Sequence, residues 1–386
     1  MKNSADVPPT DEELWRLTWE TAEPRAAQGD VGFVRELGST LLTRLAAVRQ
    51  QTRDHERCLG QVTQVLATTP GPESVGELLQ LLREVYPYPT VGTTSPRAGG
   101  GSPAPRHIAS MLVACQSYET LERTVFDRSV WDNLHELRDC LFHELLMRDA
   151  IPGDSWTLRG WQCSTWTPLR WLPTERRDFE IAWSFPEYHA RGMSWSGGIS
   201  GPPAEKRVDP PMPRTAEPSH LRNAATSAEY QAIVAAGEAG NWGCSEAWVF
   251  RLDKPVEPGD VPALLPSLPM GCVEGLGPEG RFEIGVSTLD DVWPILFSTA
   301  STGGMYGPPS YGAYGRFAAW CSVAGLSGAA HDASADEVET LARGTTWFRF
   351  ASGAEWFHNE VGHDYGIAAL SPDRRRLAVL AATDTD

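Results

Sequence analysis

Lysine is nearly missing from this chain. It stands only at Lys2, Lys206 and Lys254, while the other 30 basic residues are arginine. Schiff-base and ATP-lysine chemistries therefore have few candidates. GKS and GKT are absent, which excludes a Walker loop. No GxSxG elbow and no GxGxxG following a strand occur, which removes the serine-hydrolase and dinucleotide signatures. Seven cysteines, at positions 58, 115, 140, 163, 244, 272 and 321, contain no CxxC. An odd number without that spacing fits reduced thiols in a cytoplasmic protein and gives no zinc signature. The N-terminal MKNSADVPPTDEEL lacks an apolar h-region, and no run of eighteen apolar residues exists. Neither secretion nor a membrane span is expected. No metal and no cofactor is expected either.

Positive charge is also short: the net charge is -17 and the pI about 5.0. Such a surface repels a phosphate backbone, and the short cluster Arg374–Arg376 is no basic patch, so nucleic acid is not an expected partner. Acidity suits solubility or a basic partner. With 386 residues, 41% hydrophobic and 22% charged, the composition is that of a folded protein with more than one core.

What is present divides near Ile151–Asp154. Before it, Thr10-x-x-Glu13 and Ser74-x-x-Glu77 match capping boxes, Asp30 precedes an apolar helical period, and the pattern reads as six helices. The first of these is expected to end near Ala22, before Pro24. Pro87–Pro105 reads as a linker or loop. After the boundary, Trp156, Trp161, Trp166 and Trp171 recur every five residues, a period that suits short strands and turns. The run Phe179–Phe185 (FEIAWSF) alternates as a strand, and Gly197–Pro218 is a long Pro/Gly-rich excursion. Ser227–Gly237 and Asp336–Arg343 read as helices, and Trp248–Leu252, Arg281–Val286 and Thr345–Phe350 as strands. The end reads as a hairpin about Ser371–Arg374. Because its last strand is apolar on both faces, it is expected inside a sheet, against the helix after the glycine-rich run. The expected fold is α+β: a helical domain over 1–150 and an α+β domain with a mostly antiparallel sheet over 151–386.

The stretch around which the rest is organised is GGMYGPPSYGAYG, Gly303–Gly315, followed by the apolar helix Arg316–Leu326. Glycine admits close backbone approach, and tyrosine offers a flat face and a hydroxyl. Tyr306, Tyr311, Tyr314 and Arg316 are therefore the candidate ligand-binding residues, set against a loop packed by its own tyrosines. His358, Glu360, His363 and Asp364 form the densest titratable group and are the acid/base candidates. The two histidines are five apart, turned by about 140° on a helix, and so do not make the HExxH metal pair. His135, Asp139 and His143 recur at four-residue spacing and read as the solvated face of an amphipathic helix. Cys244 and Cys321 are conceivable nucleophiles only if a histidine is brought near; burial is the simpler reading.

The segments YGAYGRFAAWCSVAGL and EWFHNEVGHDYGIAALSPDRRRLAVLAATDTD resemble the C-terminal half of an actinobacterial family of unknown function, most specifically in LAATDTD. The resemblance is carried by roughly the last 90 residues and could extend over the whole chain. It implies a soluble, cytoplasmic bacterial protein and brings no activity or catalytic residues. The leading reading is a binding or interaction protein without catalysis, its partner an unknown small molecule or protein. The alternative is a hydrolase or transferase with a pocket between 303–315 and His358–Asp364.

Overall fold

The computed structural model describes residues 9–47, 53–86, 104–127, 133–155, 157–182, 184–195, 222–276, 280–304, 307–357 and 363–384. Most of the Pro87–Pro105 tract and all of Gly197–Pro218, with Trp156 and Trp183, lie outside them. The chain separates into two compact units, one of residues 1–170 with 186–196, the other of 171–185 with 197–386.

In the first unit, α1 (Asp11–Arg16) starts at the expected capping box: Thr10 Oγ accepts the Glu13 N–H, and Glu13 takes the Thr10 N–H at 2.7 Å. The helix does not end before Pro24. A π turn over Leu17–Thr21 leads directly into α2 (Ala22–Ala27), which contains the proline. The Ala22 N–H bonds Leu17 O, five residues back, and this widened turn accommodates a residue that has no N–H to give. Asp30 caps α3 (Val31–Ala47) through the Phe33 N–H. Gly38 of α3 lets it close on α4 (Arg53–Thr68) and α5 (Pro72–Val85): an added Cβ would stand 2.7 Å from Leu81 and 3.1 Å from Val62. Ser74 is no cap, because Pro72 already opens α5; its hydroxyl donates to Leu66 O instead. The helices α6 (Pro105–Cys115) and α7 (Tyr118–Thr124) break at Gln116, whose amide donates to Ala67 O and Thr69 O. Next comes α8 (His135–Met147), and a small hairpin, β1 (Glu187–His189) with β2 (Gly192–Ser194), is held by Gln61 and Gln64 of α4.

The second unit is built on a five-stranded antiparallel sheet, and the fold is α+β. Its elements are α9 (Ser227–Ala239), β3 (Cys244–Arg251), α10 (Val261–Leu264), β4 (Phe282–Ser287), α11 (Leu289–Thr302), α12 (Tyr311–Ser327), α13 (Ala335–Gly344), β5 (Thr346–Ser352), β6 (His363–Leu370) and β7 (Arg376–Asp384). Strand order is β3-β7-β6-β5-β4. Alternation puts Phe250, Phe348, Phe350, Leu370, Leu377 and Val379 in a core closed by residues of 252–276 and by Phe357. The opposite face, with Ala378, Leu380 and Ala382 of β7, looks towards α9, α11 and α12. Every residue of β7 is buried, and the strand is internal, as its two apolar faces require. Arg376 crosses to α12 and donates to Gly325 O and Leu326 O, each at 2.8 Å, capping two carbonyls of its last turn.

Two sequence expectations change here. The segment 179–185, expected as a strand, forms none among its described residues, and Glu180 is fully buried in an ion pair with Arg316. The apolar helix begins at Tyr311 rather than Arg316, so Gly312 and Gly315 are helical. An added Cβ on Gly315 would stand 2.7 Å from Ser301 Cβ and 2.9 Å from Ser301 Cα of α11, and one on Gly325 2.7 Å from the Ile233 nitrogen of α9. Gly315, at the end of the run, and Gly325 beyond it serve helix contact. This predicts a reversal of sign. Ala for Gly inside a helix ordinarily stabilises by about 0.5–1 kcal/mol. Gly76→Ala on α5, with open space around it, should show that gain. Gly315→Ala should instead lose about 1–3 kcal/mol through overpacking, read as a lowered urea midpoint.

Candidate functional site at the end of the sheet

The glycine-rich turn, the start of β6 and the end of β7 meet at one place in the second unit. Gly303 takes φ +78°, and the Gly304 N–H bonds Gly240 O at 2.7 Å. Asp384, the last residue of β7, lies between two glycine backbones. Its Oδ1 accepts the Gly243 N–H at 3.1 Å, and its Oδ2 would be 2.6 Å from a Cβ on Gly304. A Cβ on Gly307 would be 2.5 Å from that of Asn241. The turn is glycine-rich because its own chain lies this close. Trp242 Nε1 donates to Thr299 O, and Ser310 Oγ to Ala239 O, fixing the end of α9 and the turn after it to α11 and to Ser310 of the glycine run. Across the ladder, His363 pairs with Asp384 and Asp364 with Thr383.

The candidates fall into three groups. Tyr306, His358 and Glu360 lie outside the described residues. His363 and Asp364 open the strand β6, so the helical geometry against which the two histidines were weighed does not apply to them. Tyr311 is buried at the first position of α12 with φ +59°, a conformation a bulky residue rarely adopts, and Tyr314 is half-buried. Arg316 is wholly buried, and its guanidinium is engaged on all sides. Nε and Nη2 bind the Glu180 carboxylate at 2.7 and 2.8 Å, Nη1 donates to Pro173 O and Nη2 also to Glu175 O. The Trp320 indole donates to the same carboxylate at 2.5 Å, and Glu180 accepts the Arg177 N–H at 2.7 Å. Phe179, Trp293 and Trp320 wall the pair in with ring centroids 5.3–6.1 Å apart. This is a buried polar network with its hydrogen bonds made, and it ties 173–180 to α12.

Residues His135, Asp139 and His143 are not a solvated face. Asp139 and His143 are buried, and the Asp139 carboxylate accepts the Ser164 N–H at 2.8 Å and the Thr167 hydroxyl at 2.7 Å. Burial pushes the Asp139 carboxyl above the usual carboxylate range, with these hydrogen bonds opposing. Cys163, which nothing in the sequence singled out, has its Sγ 3.4 Å from His143 Nε2. The two proposed nucleophiles differ: Cys244 is exposed, whereas Cys321 is half-buried and its thiol is pushed up to about 11 by desolvation.

A recess of about 10 Å³ in the first unit is lined mainly by Leu82, Tyr86, Ile108, Leu134 and Leu137. It has room for about one water molecule and none for a ligand. Among the described residues no group of three His, Cys, Asp or Glu side chains is placed to hold a metal ion, and no helix is long and apolar enough to cross a membrane.

The protein is α+β, with a glycine-rich turn packed against the last strand of an antiparallel sheet. Residues 16–386 match the family of unknown function DUF6183, and the chain belongs to that family. The match spans both units, well beyond the C-terminal stretch that carried the resemblance. No curated protein and no solved structure matches the chain.

Proposed function

We propose that the chain is a binding protein without catalysis. Its ligand, a small molecule or a protein segment carrying a cationic group, meets the end of the sheet around Asp384. The observation that carries this reading is the meeting there of the glycine-rich turn and the His363–Asp364 strand start, two stretches far apart in sequence. The positive φ of Tyr311, at the base of the same turn, adds support. Backbone strain of this kind, about 1–3 kcal/mol, clusters at ligand sites. Two carboxylates, Asp364 and Asp384, on a chain of net charge -17 favour a basic partner over nucleic acid. Against a catalytic pocket stands the engagement of Arg316 and the burial of Tyr311, both spent on the fold. In this reading Tyr306, Tyr314, His358 and Glu360 are the further side chains offered to the ligand. The seven free thiols and the arginine bias support work in the cytoplasm of a bacterium with a GC-rich genome.

A hydrolase or transferase is the second reading, with His358, Glu360, His363 and Asp364 as acid/base groups. The backbone pairing of His363 with Asp384, which sets a carboxylate residue opposite a histidine, favours it.

The test is a thermal-shift panel of polyamines and short Lys/Arg peptides at low salt. A ligand that binds the folded state raises the melting temperature by mass action. At least one cationic probe should stabilise the wild type and fail to stabilise Asp384→Asn. A panel in which no cation shifts the melt contradicts the reading.

A further inference from the structure

Within the first unit, α8 buries a thiol–imidazole pair that has no part in the site above. Cys163 Sγ and His143 Nε2 are 3.4 Å apart, His143 is fully buried, and Cys163 is 7% exposed. The segment carrying Cys163 is pinned one turn earlier on the same helix, where Asp139 binds the Ser164 N–H and the Thr167 hydroxyl. Aromatic rings fix the imidazole: Phe142 meets His143 edge-on at 5.2 Å, and Trp161 lies against both Phe142 and Phe126. A nucleophile in contact with a base, on a scaffold that holds both in place, is the arrangement that activates a thiol.

We propose that Cys163 is a peroxide-reactive thiol activated by His143. The thiol proton passes to Nε2, and the thiolate attacks one oxygen of hydrogen peroxide. An S–O bond forms as the O–O bond breaks, and the leaving hydroxide recovers the proton from the imidazolium as water. Cysteine is oxidised to sulfenic acid, peroxide is reduced, and the imidazole returns neutral. Hydrogen peroxide is the fitting oxidant because the site's slight exposure admits a reagent little larger than water. Asp139 also faces the thiol, and its negative charge opposes a thiolate. Burial raises its pKa, and its carboxylate accepts hydrogen bonds from Thr167, Ser164, Trp161 and the Cys163 thiol itself, so the thiol lies between Asp139 and His143. Elsewhere burial is the largest cause: it pushes up the thiols of Cys58, Cys115, Cys140, Cys272 and Cys321, with carboxylates adding to the rise at Cys140 and Cys272.

The test treats the full chain with one equivalent of hydrogen peroxide, quenches with catalase and unfolds in dimedone, so that access does not limit labelling. Peptide mass spectrometry then compares Cys163 with the exposed Cys244. Cys163 should carry at least ten times the label of Cys244. His143→Gln should lower the Cys163 label at least tenfold while leaving that of Cys244 unchanged. Near-UV circular dichroism reports whether His143→Gln is folded; if it is not, the ranking of the two thiols in the wild type decides. Equal or lower labelling of Cys163 in the wild type overturns the proposal and makes the contact inert packing. A folded His143→Gln that keeps the Cys163 label overturns the activation by His143.

Discussion

A chain ending before Leu377 should lose the fold of its second unit rather than a tail. The residues removed form β7, which lies between β3 and β6 and is paired along its length with both. Without it neither neighbour has a partner on that side, and two rows of backbone donors and acceptors are left in an apolar interior. Leu377, Val379 and Leu380 are each fully buried. Burial of such a side chain is worth about 1.5–3 kcal/mol, so these three alone approach the about 5–15 kcal/mol that holds a domain folded. The near-UV signal of the buried Trp293, Trp320 and Trp347 should collapse in the truncated chain. A melting temperature equal to that of the full chain would refute this account of the sheet.

Arg316→Met should be the most damaging single substitution. It leaves the Glu180 carboxylate in a fully buried site with the Trp320 and Arg177 N–H groups but no cation. Removing one partner of a buried ion pair costs about 3–5 kcal/mol, chiefly from the charge left behind. Arg316→Met combined with Glu180→Leu should recover most of that loss, since an apolar replacement of both partners is often neutral. Urea unfolding of the wild type, both single variants and the double variant measures the coupling. Additive losses would mean that the pair does not act as a unit.

How much of this was legible in the sequence depended on whether the deciding partner was near or far along the chain. Capping at Thr10 and Asp30, the strands β3, β4 and β5, and the hairpin about Ser371–Arg374 all follow from contacts or alternation within a few residues. The apolar faces of Leu377–Ala382 placed the last strand inside the sheet before any neighbour was known. The run Phe179–Phe185 was misread as a strand because it alternates; what fixes it is the burial of Glu180 against Arg316, far along the chain. Asp139 and His143 have a polar period that fits a solvated face, and only the fold of 161–167 over α8 covers them. The helical Gly315 looked like loop chemistry because its reason, the nearness of Ser301, lies on another helix. Of the candidate site, the sequence pointed to the two stretches that meet. It did not point to Asp384, which lies in the LAATDTD end that carried the family resemblance but has no motif of its own.

The most direct test of the proposed site is isothermal titration of the strongest cationic probe from the thermal-shift panel into wild type and Asp384→Asn at two salt concentrations. Asparagine can still accept the Gly243 N–H, so this change removes charge with little else. The account predicts saturable binding to the wild type, weakened at the higher salt as charges are screened, and at least a tenfold loss of affinity in Asp384→Asn. Equal affinity in the two proteins would contradict it.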